Sequence, residues 1–173
     1  KAMRVLTVLC FFVFCCASIP SEAQTKAELK QEKKEKDYQN MVSLVKSGNY
    51  QYEAQWANPI GGSRVNLLST VNFLKFKENQ MNLHFPFFGT IQTANIYNSN
   101  DIGINFKGEP KKYRVTFNDD KKKITIRFQG DTEGEAFDFN LTIAGDGNAY
   151  LVVNSSGRST INYDGTLKKQ NDE

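Results

Sequence analysis

From Asn49 onward, apolar side chains recur at every second position. In YQYEAQW, Tyr50, Tyr52, Ala54 and Trp56 alternate with Gln51, Glu53 and Gln55. YRVTF sets Tyr113, Val115 and Phe117 against Arg114 and Thr116, and ITIRF sets Ile124, Ile126 and Phe128 against Thr125 and Arg127. FDFNLTI places Phe137, Phe139, Leu141 and Ile143 on one side and Asp138, Asn140 and Thr142 on the other. A strand turns successive side chains to opposite faces, so this period specifies antiparallel strands with one buried and one wet face. Any fold must therefore hide one long apolar surface and manage its edges.

Turn chemistry punctuates the pattern: NDDKKK before Ile124, GDTEG at 130–134, GDGN at 145–148 and SSG at 155–157. These residues close tight reversals, and links this short leave no room for crossover helices, so neighbouring strands should pair in sequence order. About nine strands are expected, over 49–57, 66–76, 80–87, 90–96, 101–106, 112–118, 122–129, 135–144 and 148–154, with 158–167 a candidate tenth. The expected class is all-β. It is an antiparallel meander of nine to ten strands closing as a lipocalin-like barrel, with a β-sandwich as the alternative, preceded by one N-terminal α-helix. Hairpins outnumber long returns, which favours the barrel.

The segment before the strands has a different composition. Lys1 and Arg4 precede an apolar run, Val5–Ala17, too short to span a bilayer as a helix. Ser21 and Ala23 then give the small-x-small pattern of a cleavage site, so residues 1–23 read as a signal peptide cleaved after Ala23 and the protein as exported, periplasmic or extracellular. The rival event is lipidation of Cys16; membrane association is expected only in that case, and bulky Phe14 and Cys15 make the site poor. Residues 24–48 read as a charged helix, with Tyr38, Met41, Val42 and Val45 as its apolar stripe and Ser47-Gly48 as its stop. Residues 49–168 form one β domain and 169–173 a disordered tail.

Cleavage removes Cys10, Cys15 and Cys16, every cysteine of the chain, and with them disulfides and thiolate chemistry. The formal charge of +3 drops by one, too near neutrality to suggest a nucleic-acid partner. His84, the single histidine, falls on a wet strand face, and zinc sites need more His or Cys ligands than this chain retains. Neither a metal nor a cofactor is expected. Asp101, Glu109, Glu135 and Asp138 are carboxylates in sufficient number for a hydrolase, but no spacing pairs them. The chain is accordingly not expected to be an enzyme.

Two stretches remain. In ANPIGG, Pro59 favours an extended Asn58, and Gly61-Gly62 permit a reversal. In MNLHFPFFG, Met81, Leu83, Phe85 and Phe87 share a face, Pro86 marks a strand end, and Phe88 points the other way. Trp56, Asn58, Pro59, Phe88, Gly89 and the loop residue Tyr97 are the candidate rim for a ligand or partner. FPFFG and AQWANPIGG, followed in order by GINFKGEPKKYRV, FDFNLTI and GRSTINYDGTL, resemble a bacterial family called domain of unknown function 4251. That family usually has Leu-Pro-Tyr-Phe-Gly where Phe85–Gly89 stands here, and a basic residue where Thr90 stands. The resemblance implies an exported envelope protein of Gram-negative bacteria and brings no activity or catalytic residues with it. The expected function is a noncatalytic envelope module that binds a small apolar or amphipathic ligand. The alternatives are a module that recognises another envelope protein, and a carboxylate-based hydrolase.

Overall fold

The structure, a computed structural model, describes residues 25–92, 102–132 and 135–170. The expected signal peptide, Cys16, Asp101 and Tyr97 lie outside these residues, as do 171–173 of the expected tail. The chain forms two compact units, Lys1–Gln31 and Glu32–Glu173. Helix α1 covers Lys26–Lys46. In the first unit, the Glu28 backbone N–H donates to Thr25 Oγ1 at 3.3 Å and the Thr25 N–H to Glu28 Oε2 at 2.6 Å. This reciprocal cap satisfies two donors that a helix start leaves open, and it holds the Glu28 carboxyl below its usual range.

In the second unit, ten strands follow: β1 Asn49–Pro59, β2 Val65–Asn66, β3 Phe73–Lys77, β4 Gln80–Phe85, β5 Ile104–Gly108, β6 Lys111–Asn118, β7 Lys123–Thr132, β8 Glu135–Ala144, β9 Asn148–Ser155 and β10 Ile161–Lys169. They form one antiparallel sheet, ordered β5-β4-β3-β1-β10-β9-β8-β7-β6 with β2 on β1, curled into a half-barrel. The all-β class with one leading helix is thus as the alternation dictates.

Three details differ from the expected strand list. The strand expected at 66–76 breaks into β2 and β3, because Leu67–Thr70 forms a turn and Asn72 uses its side chain, not its backbone, to bond β1. The strand expected at 90–96 is represented among the described residues by a single bridge, Ile91 to Arg158. Pairing in sequence order also fails twice: β2 and β3 both lie on β1 and not on each other, and β5 does not pair with β6. Every neighbouring pair along the sheet is antiparallel, so the two end strands run the same way, and Glu109-Pro110 joins them without reversal. The chain leaves β4 and arrives at β7 as one kinked strand, with Gly108 at φ 148° and Pro110 lacking an N–H for any ladder. Phe106 of β5 then reaches β7, where a Cβ on Gly130 would lie 2.8 Å from its ring.

The concave face is filled with rings. Tyr50 stacks on Phe76 at 5.2 Å and Phe76 on Tyr113 at 4.9 Å. Phe85 lies 5.0 Å from Tyr163, and Phe128 stacks 4.6 Å from Phe139. Pairs of this kind add about 0.5–1.5 kcal/mol each beyond their burial. The buried tyrosine hydroxyls all bond: Tyr52 donates to Tyr163 O at 2.9 Å, Tyr163 to Pro86 O at 2.8 Å, and Tyr50 shares a 3.0 Å bond with Tyr113. Burial raises the ionisation of Tyr50, Tyr52 and Tyr163 well above the usual phenol range.

Both ends of the half-barrel are covered. At one end, the later turns of α1 pack on the β6–β7 and β8–β9 hairpins with buried Tyr38, Val42 and Val45. Tyr38 donates to Asp119 Oδ1 at 2.6 Å, Lys122 pairs with Glu35 at 2.5 Å, and Met41 sits over Gly147. At the other end, Arg158 and Glu135 form a buried ion pair, their side chains 7% and 6% exposed.

Candidate functional site

The outer face of the sheet carries the chemistry that the core does not use. Tyr50, Tyr52 and Ala54 face inward as the alternation requires, but Trp56 does not, which corrects the inward placement expected for it. A bulge falls between Ala54, opposite Gly165, and Trp56, opposite Asp164. One residue too many on β1 flips everything after it. Ala57 and Pro59 become the buried positions, and Trp56 turns outward, half-buried.

Side chain and loop supply partners for the backbone at the bulge. The Asn72 amide takes both backbone groups of Ala54, accepting its N–H at 2.7 Å and donating to its carbonyl at 3.1 Å. The Gln55 carbonyl accepts the Leu67 N–H at 2.8 Å. The bulge also presses β1 onto β10: a Cβ on Gly165 would lie 2.7 Å from Ala54 Cα and overlap the Glu53 carbonyl. Position 165 therefore has room for no side chain.

Trp56 heads an outward row that crosses five strands, Trp56–Asp164–Tyr150–Thr142–Thr125. The Arg64 guanidinium stacks on the Trp56 ring at 4.3 Å and donates to Asp164 Oδ2 at 3.0 Å. Asn58 Nδ2 donates to the same oxygen at 2.9 Å. The other carboxylate oxygen, Oδ1, has no protein partner among the described residues. Tyr150, 40% exposed, has its hydroxyl ionisation pushed up by partial burial and by the Asp164 charge. Trp56, Arg64, Asp164, Tyr150, Thr142 and Lys123 wall a groove of about 440 Å³ over Gly165 and Ala149. A second depression of about 360 Å³ shares Gln55 with it and runs over Gln51 and Asn72 to Phe73.

The candidate rim is divided by the fold. Trp56 and Asn58 meet at Asp164. Pro59 is buried opposite Ile161. Phe88 is 42% exposed, and Gly89 is packed so that a Cβ would lie 2.7 Å from the Phe87 ring. Among the described residues no ring contact joins Phe88 to Trp56. Arg64, Tyr150 and Asp164 were not among the residues the sequence singled out. Two consecutive apolar residues, Trp56 and Ala57, followed by a restart of the period at Pro59, were the signal for the bulge that assembles them.

Of the four candidate carboxylates, Glu135 and Asp138 have separate partners, and Asp101 lies outside the described residues. Glu135 accepts the Arg158 Nε–H at 3.0 and 3.2 Å and the Ser155 hydroxyl. Arg158 Nη1 donates to the carbonyls of Ile102 and Gly103, and its guanidinium lies 5.1 Å from the Phe87 ring and 5.5 Å from that of Phe137. Every charge there is matched, as a structural ion pair requires. Asp138 accepts from Gln129 at 2.6 Å on the outer face. His84 shares a 2.6 Å bond with Asn105.

The family model described as Domain of unknown function (DUF4251) matches residues 32–167. The fold is similar to the crystal structure of a DUF4251 family protein from Bacteroides eggerthii DSM 20697. The TM-score is 0.60 and the sequence identity 19%, over 80% of this chain and 91% of that one. At that identity the likeness concerns the fold alone. No curated protein matches the chain.

Proposed function

The chain belongs to the DUF4251 family, whose description assigns no activity, and from that premise we propose that it is an exported, noncatalytic binding module that takes an amphipathic ligand in the outer-face groove at Trp56. The observation that carries this reading is the bulge. Its extra residue withdraws the single tryptophan of the chain from an otherwise aromatic core and sets it beside Arg64, Asn58 and Asp164 on a wet face. An aromatic body with polar groups around it suits a ligand that has both characters. The concave face argues against a lumenal ligand, since stacked rings occupy it and both ends are covered. Engagement of Glu135 by Arg158 removes that carboxylate from hydrolytic use.

The sole tryptophan makes the test direct. Protein purified from its own host should retain a ligand in native mass spectrometry, and removing it should shift the tryptophan emission. Trp56→Ala should abolish retention without changing the fold. Retention by the variant at wild-type level would reject the groove. N-terminal sequencing of the exported protein should begin at Gln24, and a start before it would reject the cleavage. A second reading, a protein-interaction module, is favoured by Ile60, Leu68 and Val71, 65%, 71% and 74% exposed on the loops flanking β2. Co-purification of a stoichiometric protein lost in a Leu68→Ser/Val71→Ser variant would select it.

A further inference from the structure

The groove has a chemical bias that narrows what it takes. Of the charges that line it, Arg64 and Asp164 match each other, and Lys123 has no ion pair among the described residues. A cationic ligand would have to break the Arg64–Asp164 pair to gain a full counter-charge, whereas Lys123 tolerates a negative substituent. Besides Lys123, what remains unmatched are hydrogen-bonding groups, namely Asp164 Oδ1, the Tyr150 hydroxyl and the Thr142 hydroxyl, none with a protein partner among the described residues. An acyl chain laid over them would leave each unsatisfied, at about 1–3 kcal/mol apiece when buried. A peptide has no ladder to join, because β1, β10, β9 and β8 are each paired on both sides at the groove.

We propose, resting on the binding role assigned above to this groove, that its ligand is an oligosaccharide. Sugar rings have apolar C–H faces and a rim of hydroxyls, and the groove offers both complements. Trp56 with its stacked Arg64 forms one wall. Tyr150 forms the other, two strand spacings or roughly 10 Å away. Between them Asp164 Oδ1 accepts from ring hydroxyls, while the Tyr150 and Thr142 hydroxyls donate or accept. The bulged Gln55 belongs to both depressions, so a longer chain continues from the first over Gln51 towards Phe73. Affinity therefore grows with chain length and then levels off.

The test uses protein from its own host and follows tryptophan emission during titration with hexasaccharides of glucose, mannose, xylose and N-acetylglucosamine in their common linkages. Dioctanoylphosphatidylcholine and a Gln/Thr-rich decapeptide serve as the competing ligand classes. The expected result is a saturable shift with at least one sugar, about tenfold tighter for the hexamer than for the dimer. Tyr150→Ala and Asp164→Asn should each weaken it about tenfold at an unchanged melting temperature. Sugar binding that neither variant weakens overturns the assignment to this groove. A response to the phospholipid or the peptide and to no sugar overturns the saccharide class while leaving the binding role standing. Silence from every probe, with no ligand retained from the host, overturns both.

Discussion

Replacing Arg158 with methionine tests whether the covered end of the half-barrel is held by a dry ion pair. In the native chain the Glu135 carboxylate is satisfied by Arg158 Nε and the Ser155 hydroxyl. The guanidinium also ties down the carbonyls of Ile102 and Gly103. Methionine fills the space between the Phe87 and Phe137 rings but strands the carboxylate, whose side chain is only 6% exposed. Breaking a buried pair from one side costs about 3–5 kcal/mol, a fall in melting temperature of roughly 6–20 °C for a chain of this size. The double variant Arg158→Met/Glu135→Leu removes both charges and should recover most of the loss, since apolar replacements of buried pairs range from neutral to about 4 kcal/mol stabilising. Urea unfolding followed by tryptophan emission and far-ultraviolet circular dichroism measures all four corners of the cycle. A single variant that loses less than about 1 kcal/mol, the scale of a surface pair, would refute the claim that this end is dry. A double variant no more stable than the single one would refute it independently.

Three further outcomes follow from the geometry. Trp56→Ala should leave the unfolding free energy within about 1 kcal/mol of wild type, whereas Tyr52→Ala, fully buried, should lose about 3–5 kcal/mol; equal losses in urea melts would place both rings in the core. Gly165→Ala drives a Cβ into the β1 backbone and should cost about 1–3 kcal/mol with an altered tryptophan emission, and a neutral, spectrally silent variant would contradict the bulge. Desolvation and the bond to Asp119 push the Tyr38 hydroxyl up to about 12, above its unfolded value of about 10. Its contribution is thus fully present below pH 10 and lost as pH rises towards 12. Melts at pH 8 and 11 should show that loss and Tyr38→Phe should reduce it; an identical loss in the variant would assign it to the other buried tyrosines.

The alternating segments were readable because a strand's two faces are set by a period no neighbour can change. Phe137, Phe139, Leu141 and Ile143 all lie inside, as their spacing requires. Helix α1 was readable from Tyr38, Met41, Val42 and Val45. The break of the expected strand at 66–76 was not, since nothing local says that Asn72 will bond β1 through its side chain. The site was half legible. Trp56 and Asn58 stand out in AQWANP, but Tyr150 and Asp164 look like ordinary wet-face residues until β9 and β10 are laid beside β1. Arg158 and Glu135 were hidden for the same reason, being partners 23 residues apart with no spacing rule between them.

Period, turn chemistry and capping residues are local, so the amino-acid order alone determined an antiparallel β domain behind a capped helix. Register, the kink that carries one strand from β4 to β7, and the bulge that turns Trp56 outward depend on which backbones meet. The bulge, for one, needed Gly165 to let β1 close on β10, because a tight approach of two chains is a property of the pair and not of either segment.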